Sequence, residues 1–195
     1  MTPASASLRN ATAPLPGTGD SQTWTPLMPS RADTRLRGVD ACADYTVVYF
    51  RRDGLTGLRV LDSGGGERDI AFPEPIYTIS PDLNPEFTQT IFRLGYTSMI
   101  TPSTVYDADL ATGELTLLKQ QPVLPSPDGV PFASGDYEQH REWALALDGT
   151  RVPVSLVCRT GTPRDGSAPC LLYGYGSYEL STDPQFSITR LSLLD

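Results

Sequence analysis

Hydrophobic residues in this chain fall in short β-branched and aromatic bursts, each closed by Gly, Asp or Pro. Residues 46–50 read TVVYF, 58–62 read LRVLD and 68–72 read RDIAF, with RRDGLTG and SGGGE between them. Short strands between glycine-rich turns predict an antiparallel meander. A second run follows, strand-like over 75–81, 87–98, 103–110 and 115–120. Over 87–98, alternation sets Thr90, Phe92 and Leu94 on one face and Gln89, Ile91 and Arg93 on the other, so Ile91 falls on the polar side. The sequence DLATGE at 109–114 predicts a tight turn. There Asp109 and Thr112 bond the turn backbone while Gly113 supplies a positive φ. Stretches 45–80 and 87–120 are each about the size of a four-stranded propeller blade, although no strict repeat relates them.

The pattern breaks at 121–136, which holds four prolines and two glycines. Proline donates no ladder hydrogen bond, so a central strand is excluded and a domain boundary is placed here. A further hairpin is predicted from 137–147, the turn DGT and 151–159. After a polar loop, PCLLYGYGSYEL (169–180) predicts a short apolar strand running into glycines, and 186–195 a short helix. Residues 1–36 are rich in Ala, Ser, Thr and Pro, and only WTPLM (24–28) is apolar enough to pack, as one short strand at most.

Composition narrows the class. The 195 residues correspond to about 1.3 average domains. With 18 prolines and 17 glycines the chain is turn-rich, which argues against long helices. The net charge of -8 argues against a nucleic-acid partner, which wants a basic face. No run of 18 apolar residues exists, so no membrane-spanning helix is expected. The N-terminus lacks an apolar segment behind a positive start, and so does not read as a secretory leader. Cys42, Cys158 and Cys170 form no CxxC pair and read as free thiols in a reducing cytoplasm, neither a disulfide framework nor a zinc site.

Candidate chemistry is sparse. A Ser–His–Asp hydrolase of the α/β class presents its serine in a GxSxG elbow, and none occurs here. The one histidine, His140, lies in a strand-like segment and reads as an ordinary hairpin residue, not a base or a metal ligand. Asp107, Asp109 and Glu114 could form a carboxylate cation site, but turn acids more often cap the turn or face solvent. No cofactor or metal is called for. The most suggestive segment is LLYGYGSY (171–178). Its glycines allow close backbone approach, and a neutral tyrosine hydroxyl can donate to a developing oxyanion. From the residues alone, a β-bulge with two packing tyrosines explains it as well.

YGYGSY together with RLSLLD (190–195) resembles the start of the catalytic domain of the prolyl oligopeptidase family of serine peptidases, in its oligopeptidase B branch. Three further blocks resemble that branch in the same order: GLTGLRVL (54–61), FRLGYTSMITPSTVYDADLATGELTLLKQ (92–120) and DGTRVPVSLV (148–157). The resemblance implies a mostly β chain. It would comprise the C-terminal blades of a seven-bladed β-propeller over 24–121, an irregular 1–23 segment before them, a Pro-rich linker over 122–136, and the first strands of an α/β-hydrolase domain over 137–195. It further implies a serine-type endopeptidase cleaving short peptides after Arg or Lys. Tyr175 would donate its hydroxyl to the oxyanion, and Tyr178 would lie near the specificity pocket. Glu179 stands where the branch more usually has Gly. The family's Ser, Asp and His have no counterpart before Asp195, so the chain is expected to be inactive without the remainder of the enzyme. The alternative is a non-catalytic, propeller-derived module that binds peptides or a partner protein, its acidic charge favouring basic peptides.

Overall fold

The structure, a computed structural model, describes residues 28–195. The segment 24–27, most of the proposed first strand, lies outside them. Two four-stranded antiparallel sheets and one hairpin make up the fold. The first sheet is a meander of β1 (Thr34–Ala41), β2 (Tyr45–Arg52), β3 (Leu55–Asp62) and β4 (Glu67–Asp69). The second is a meander of β5 (Thr78–Pro81), β6 (Ile91–Thr97), β7 (Thr104–Asp109) and β8 (Leu115–Gln120). β9 (Tyr137–Leu145) and β10 (Arg151–Arg159) pair with each other, and helix α1 (Ile188–Leu194) follows.

Alternation along the inner strands builds the core between the two sheets. Val47 of β2 and Leu58 and Val60 of β3 pack with Phe92, Leu94 and Tyr96 of β6, joined by Ile70, Ile79, Ala108 and Leu110. Phe92 and Leu94 are fully buried while Ile91 and Arg93 are exposed, as the alternation of 87–98 requires. Full burial of an aliphatic or aromatic side chain of this kind contributes about 1.5–3 kcal/mol. An aromatic group of Phe72, Tyr77, Tyr96 and Tyr106, with ring centroids 4.7–5.7 Å apart, extends the core along β5–β7.

The 109–114 turn forms as its residues dictate. Asp109 Oδ1 accepts from the amides of Ala111 and Thr112, both at 2.8 Å, and Gly113 has φ +80°. Those amides hold the Asp109 carboxyl below the usual carboxylate range.

Two elements differ from expectation. β1 lies partly in the stretch read as a loose start. A bulge between Leu36 and Gly38 interrupts its alternation: Arg35 and Arg37 are exposed and Thr34 and Leu36 half-buried, but Gly38, Val39 and Asp40 are all half-buried. Conversely, 169–180 forms no strand. Among the described residues nothing pairs with it, and Leu171, Leu172 and Tyr173 are exposed. Apolar character favours a strand only when a neighbour completes the ladder. No helix among the described residues is long and apolar enough to cross a membrane.

Candidate functional site around Tyr175

The segment carrying Tyr175 is held from its C-terminal side. Arg51 at the end of β2 donates two hydrogen bonds to Asp183, at 2.5 and 2.9 Å, and a third to the carbonyl of Gly54. Thr78 Oγ1 donates to the carbonyl of Pro184 at 2.7 Å, and the amide of Phe186 donates to Thr97 Oγ1 at 3.2 Å. Phe186 packs edge-on against Phe132, which stacks on Tyr137. Leu191 of α1 is buried, and Asp195 accepts from Tyr137 Oη at 2.7 Å and from Arg159 at 2.6 Å. Residues 183–195 are thereby fastened to both sheets and to the β9–β10 hairpin.

The tyrosines project just before this anchored stretch. Tyr175 is half exposed and Tyr178 almost wholly exposed. A Cβ built on Gly174 or Gly176 would meet no atom within 4 Å, so nothing crowds the backbone on either side of Tyr175. Tyr178 sits in a short 3-10 turn, Ser177–Glu179, with φ +56°. A left-handed conformation is unusual for a residue with a Cβ and turns the chain sharply here. Tyr175 thus lies between two glycines and Tyr178 in the short turn that follows; both are exposed, and each offers a hydroxyl donor.

The other candidates separate. Asp107 is taken by Arg93, at 2.8 and 3.0 Å, and Asp109 caps its turn, so these acids and Glu114 do not converge on a cation. Cys42, Cys158 and Cys170 are free thiols. His140 does lie on the hairpin, on β9, but with Glu138 Oε2 3.2 Å from its Nε2 and Cys158 close by. The sequence signal for that group is Glu-x-His on an alternating strand, and it becomes readable only once the hairpin register is known.

Residues 12–121 match the family model of the prolyl oligopeptidase N-terminal β-propeller domain. Over 94% of its length the chain is 41% identical to the dipeptidyl aminopeptidase BI of Pseudoxanthomonas mexicana, covering 25% of that protein. It is 34% identical to protease 2 of Moraxella lacunata, over 78% of this chain and 21% of that one. Oligopeptidase B from Trypanosoma brucei, solved in a closed form with covalently bound antipain, superimposes with a TM-score of 0.76 at 33% identity, over 88% of this chain and 25% of that one. Oligopeptidase B from Leishmania major gives a TM-score of 0.71 at 34% identity, over 83% of this chain and 23% of that one. The chain thus spans about a quarter of the length of these relatives. With a mostly β fold that matches the family's propeller and a YGYGSY turn anchored beside it, the chain belongs to the prolyl oligopeptidase family, in its oligopeptidase B branch.

Proposed function

We propose that this chain is a portion of a serine oligopeptidase that cleaves short peptides after Arg or Lys. In this reading β1–β4 and β5–β8 are two blades of a seven-bladed propeller spanning 24–121. Residues 122–136 link them to the opening of an α/β-hydrolase domain over 137–195. The observation that carries the reading is the turn at Tyr175, open on both glycine sides and fastened to the first sheet through Asp183 and Arg51. A hydroxyl fixed on such a turn suits the oxyanion of a tetrahedral intermediate, where donors act on charge that develops in the transition state. Tyr178, three residues on, would face the substrate. The net charge of -8 supports steering of basic peptides toward the molecule.

The reaction would follow the acyl-transfer course of serine peptidases. A serine attacks the scissile carbonyl, a histidine takes its proton and passes it to the leaving amine, and an aspartate orients the histidine. Tyr175 contributes one oxyanion donor to that set, and loss of one such donor typically lowers turnover about 100- to 1000-fold. The 195 residues by themselves offer one histidine and no GxSxG serine elbow, so in this reading the isolated chain is inactive and acts only together with the remainder of a cytoplasmic enzyme.

The test compares the isolated chain with a polypeptide extended through the codons that follow Asp195. Substrates are fluorogenic Arg-, Lys- and Pro-amides, in blocked form and as free dipeptides, because one relative carries the name of a dipeptidyl aminopeptidase. We expect no turnover from the chain alone. The extended form should turn over Arg- and Lys-amides, be blocked by a serine-directed inhibitor, and lose about 100- to 1000-fold in kcat on Tyr175→Phe. Inhibitor-sensitive turnover by the chain alone, or an unaffected Tyr175→Phe enzyme, overturns the reading.

A further inference from the structure

The hairpin of β9 and β10 gathers three different metal-binding side chains on one face. Glu138 and His140 are two apart on β9 and so share a face, and the register sets Cys158 of β10 directly opposite Glu138. One donor atom from each of the three lies within 4.8 Å of the other two, and all three residues are half-buried. The carboxylate is already oriented. The amide of Gly161 donates to Glu138 Oε1 at 2.9 Å, which leaves Oε2 facing His140 Nε2 at 3.2 Å. That approach is out of line for a hydrogen bond, and Nε2 is buried with no hydrogen-bond partner. A buried imidazole nitrogen without a partner is uncommon and asks for one.

We propose that Glu138, His140 and Cys158 bind a divalent zinc-class ion that clips β9 to β10. Thiolate, imidazole and carboxylate together are the donor set of zinc or cobalt, not of the hard oxygen-loving magnesium or calcium. Metal–ligand bonds of about 2.0–2.3 Å in a tetrahedron place donors about 3.3–3.8 Å apart, so the Glu138–His140 spacing already fits and Cys158 needs only a small side-chain adjustment. Cys158 binds as the thiolate, its proton passing to solvent. Three protein ligands leave the fourth position to water. The consequence is structural as well as chemical. β9 and β10 pair only with each other among the described residues, and a two-stranded hairpin alone is marginal in water. An ion held across the strands stabilises the folded hairpin in proportion to its occupancy.

The experiment titrates the full 195-residue chain with cobalt and with zinc. One ion per chain is expected, with a near-ultraviolet thiolate-to-cobalt charge-transfer band. That band should be absent in Cys158→Ser and retained in Cys170→Ser. His140→Ala should weaken zinc binding by tenfold or more, since loss of even an outer-shell partner typically costs about 10–100-fold. Alkylation of the native protein needs no variant to fold: zinc should slow modification of Cys158 while the exposed Cys170 reacts unchanged. Cobalt binding without a thiolate band, or alkylation of Cys158 indifferent to zinc, overturns the assignment.

Discussion

Arg59 shows how a single polar residue is accommodated inside the first sheet. Its guanidinium is largely buried, and it donates to both oxygens of Asp69, at 2.5 and 3.0 Å, and to Glu67 at 2.8 Å. It also lies over the ring of Phe50 at 5.8 Å. A buried arginine is tolerated only when its donors are matched, and removal of one partner costs more than the pair contributes. The hydrogen bonds from Arg59 hold the Asp69 carboxyl below the usual carboxylate range. A depressed folded-state value means that Asp69 stabilises the fold above its unfolded value of about 3.9. That stabilisation is lost as pH falls through the lower folded value. Asp69→Asn should therefore cost about 1–2 kcal/mol near neutrality, reduced from the buried limit because the carboxylate is partly solvated. Urea unfolding from pH 7 down to pH 2 measures it: the two proteins should differ at the top of the range and converge at the bottom. A difference that stays constant with pH would mean the ion pair is not the cause. None of this was legible in the residues, because Arg59, Glu67 and Asp69 become neighbours only through the β3–β4 register.

At the scale of the element, Gly57 shows why β2 and β3 fit as they do. Gly57 stands opposite Phe50 across the ladder, and the Phe50 ring lies over it. A Cβ there would come within 2.4 Å of the ring. The glycine thus makes room for an aromatic ring that covers the sheet face away from the core, where Arg52 and Arg59 also lean on that ring. Gly57→Ala should destabilise by about 1–3 kcal/mol through overpacking, and Phe50→Leu in the same chain should restore part of the loss. Additive effects of the two changes in thermal melts would refute the steric account. The strand pattern itself was readable. β2, β3, β6, β7 and β8 lie where β-branched and aromatic bursts predict them, and the Asp109–Gly113 turn forms from its own residues. The misses, β1 and the 169–180 stretch, are the elements whose state depends on partners more than on local pattern. A bulge hides one, and the other has no neighbouring strand among the described residues.

Over the whole molecule, the position of the Tyr175 turn depends on contacts between residues far apart in sequence. Arg51 and Asp183 are 132 residues apart, yet both are largely shielded and joined by two short hydrogen bonds. The YGYGSY motif marked the candidate site, but nothing in the residues pointed to Arg51 as its tether. Two independent fastenings follow: Asp183 and Pro184 hold the near end of the stretch, while Asp195, through Tyr137 and Arg159, holds the far end beyond α1. Weakening only the near one should loosen the molecule in one place. In Asp183→Ala, Arg51 keeps its bond to the Gly54 carbonyl, so β2 and β3 retain their ladder. A lost charge-assisted pair of this kind is worth about 1–3 kcal/mol locally. Hydrogen exchange should therefore quicken over 174–186 while the amides of β2, β3 and β6 and the last turn of α1 keep their protection. In the longer enzyme proposed above, the same change should lower kcat more than it raises KM, because Tyr175, the proposed oxyanion donor, would be held less firmly. Exchange that quickens uniformly across both sheets would instead make Arg51–Asp183 a general stabiliser of the fold, with no particular hold on the tyrosine turn.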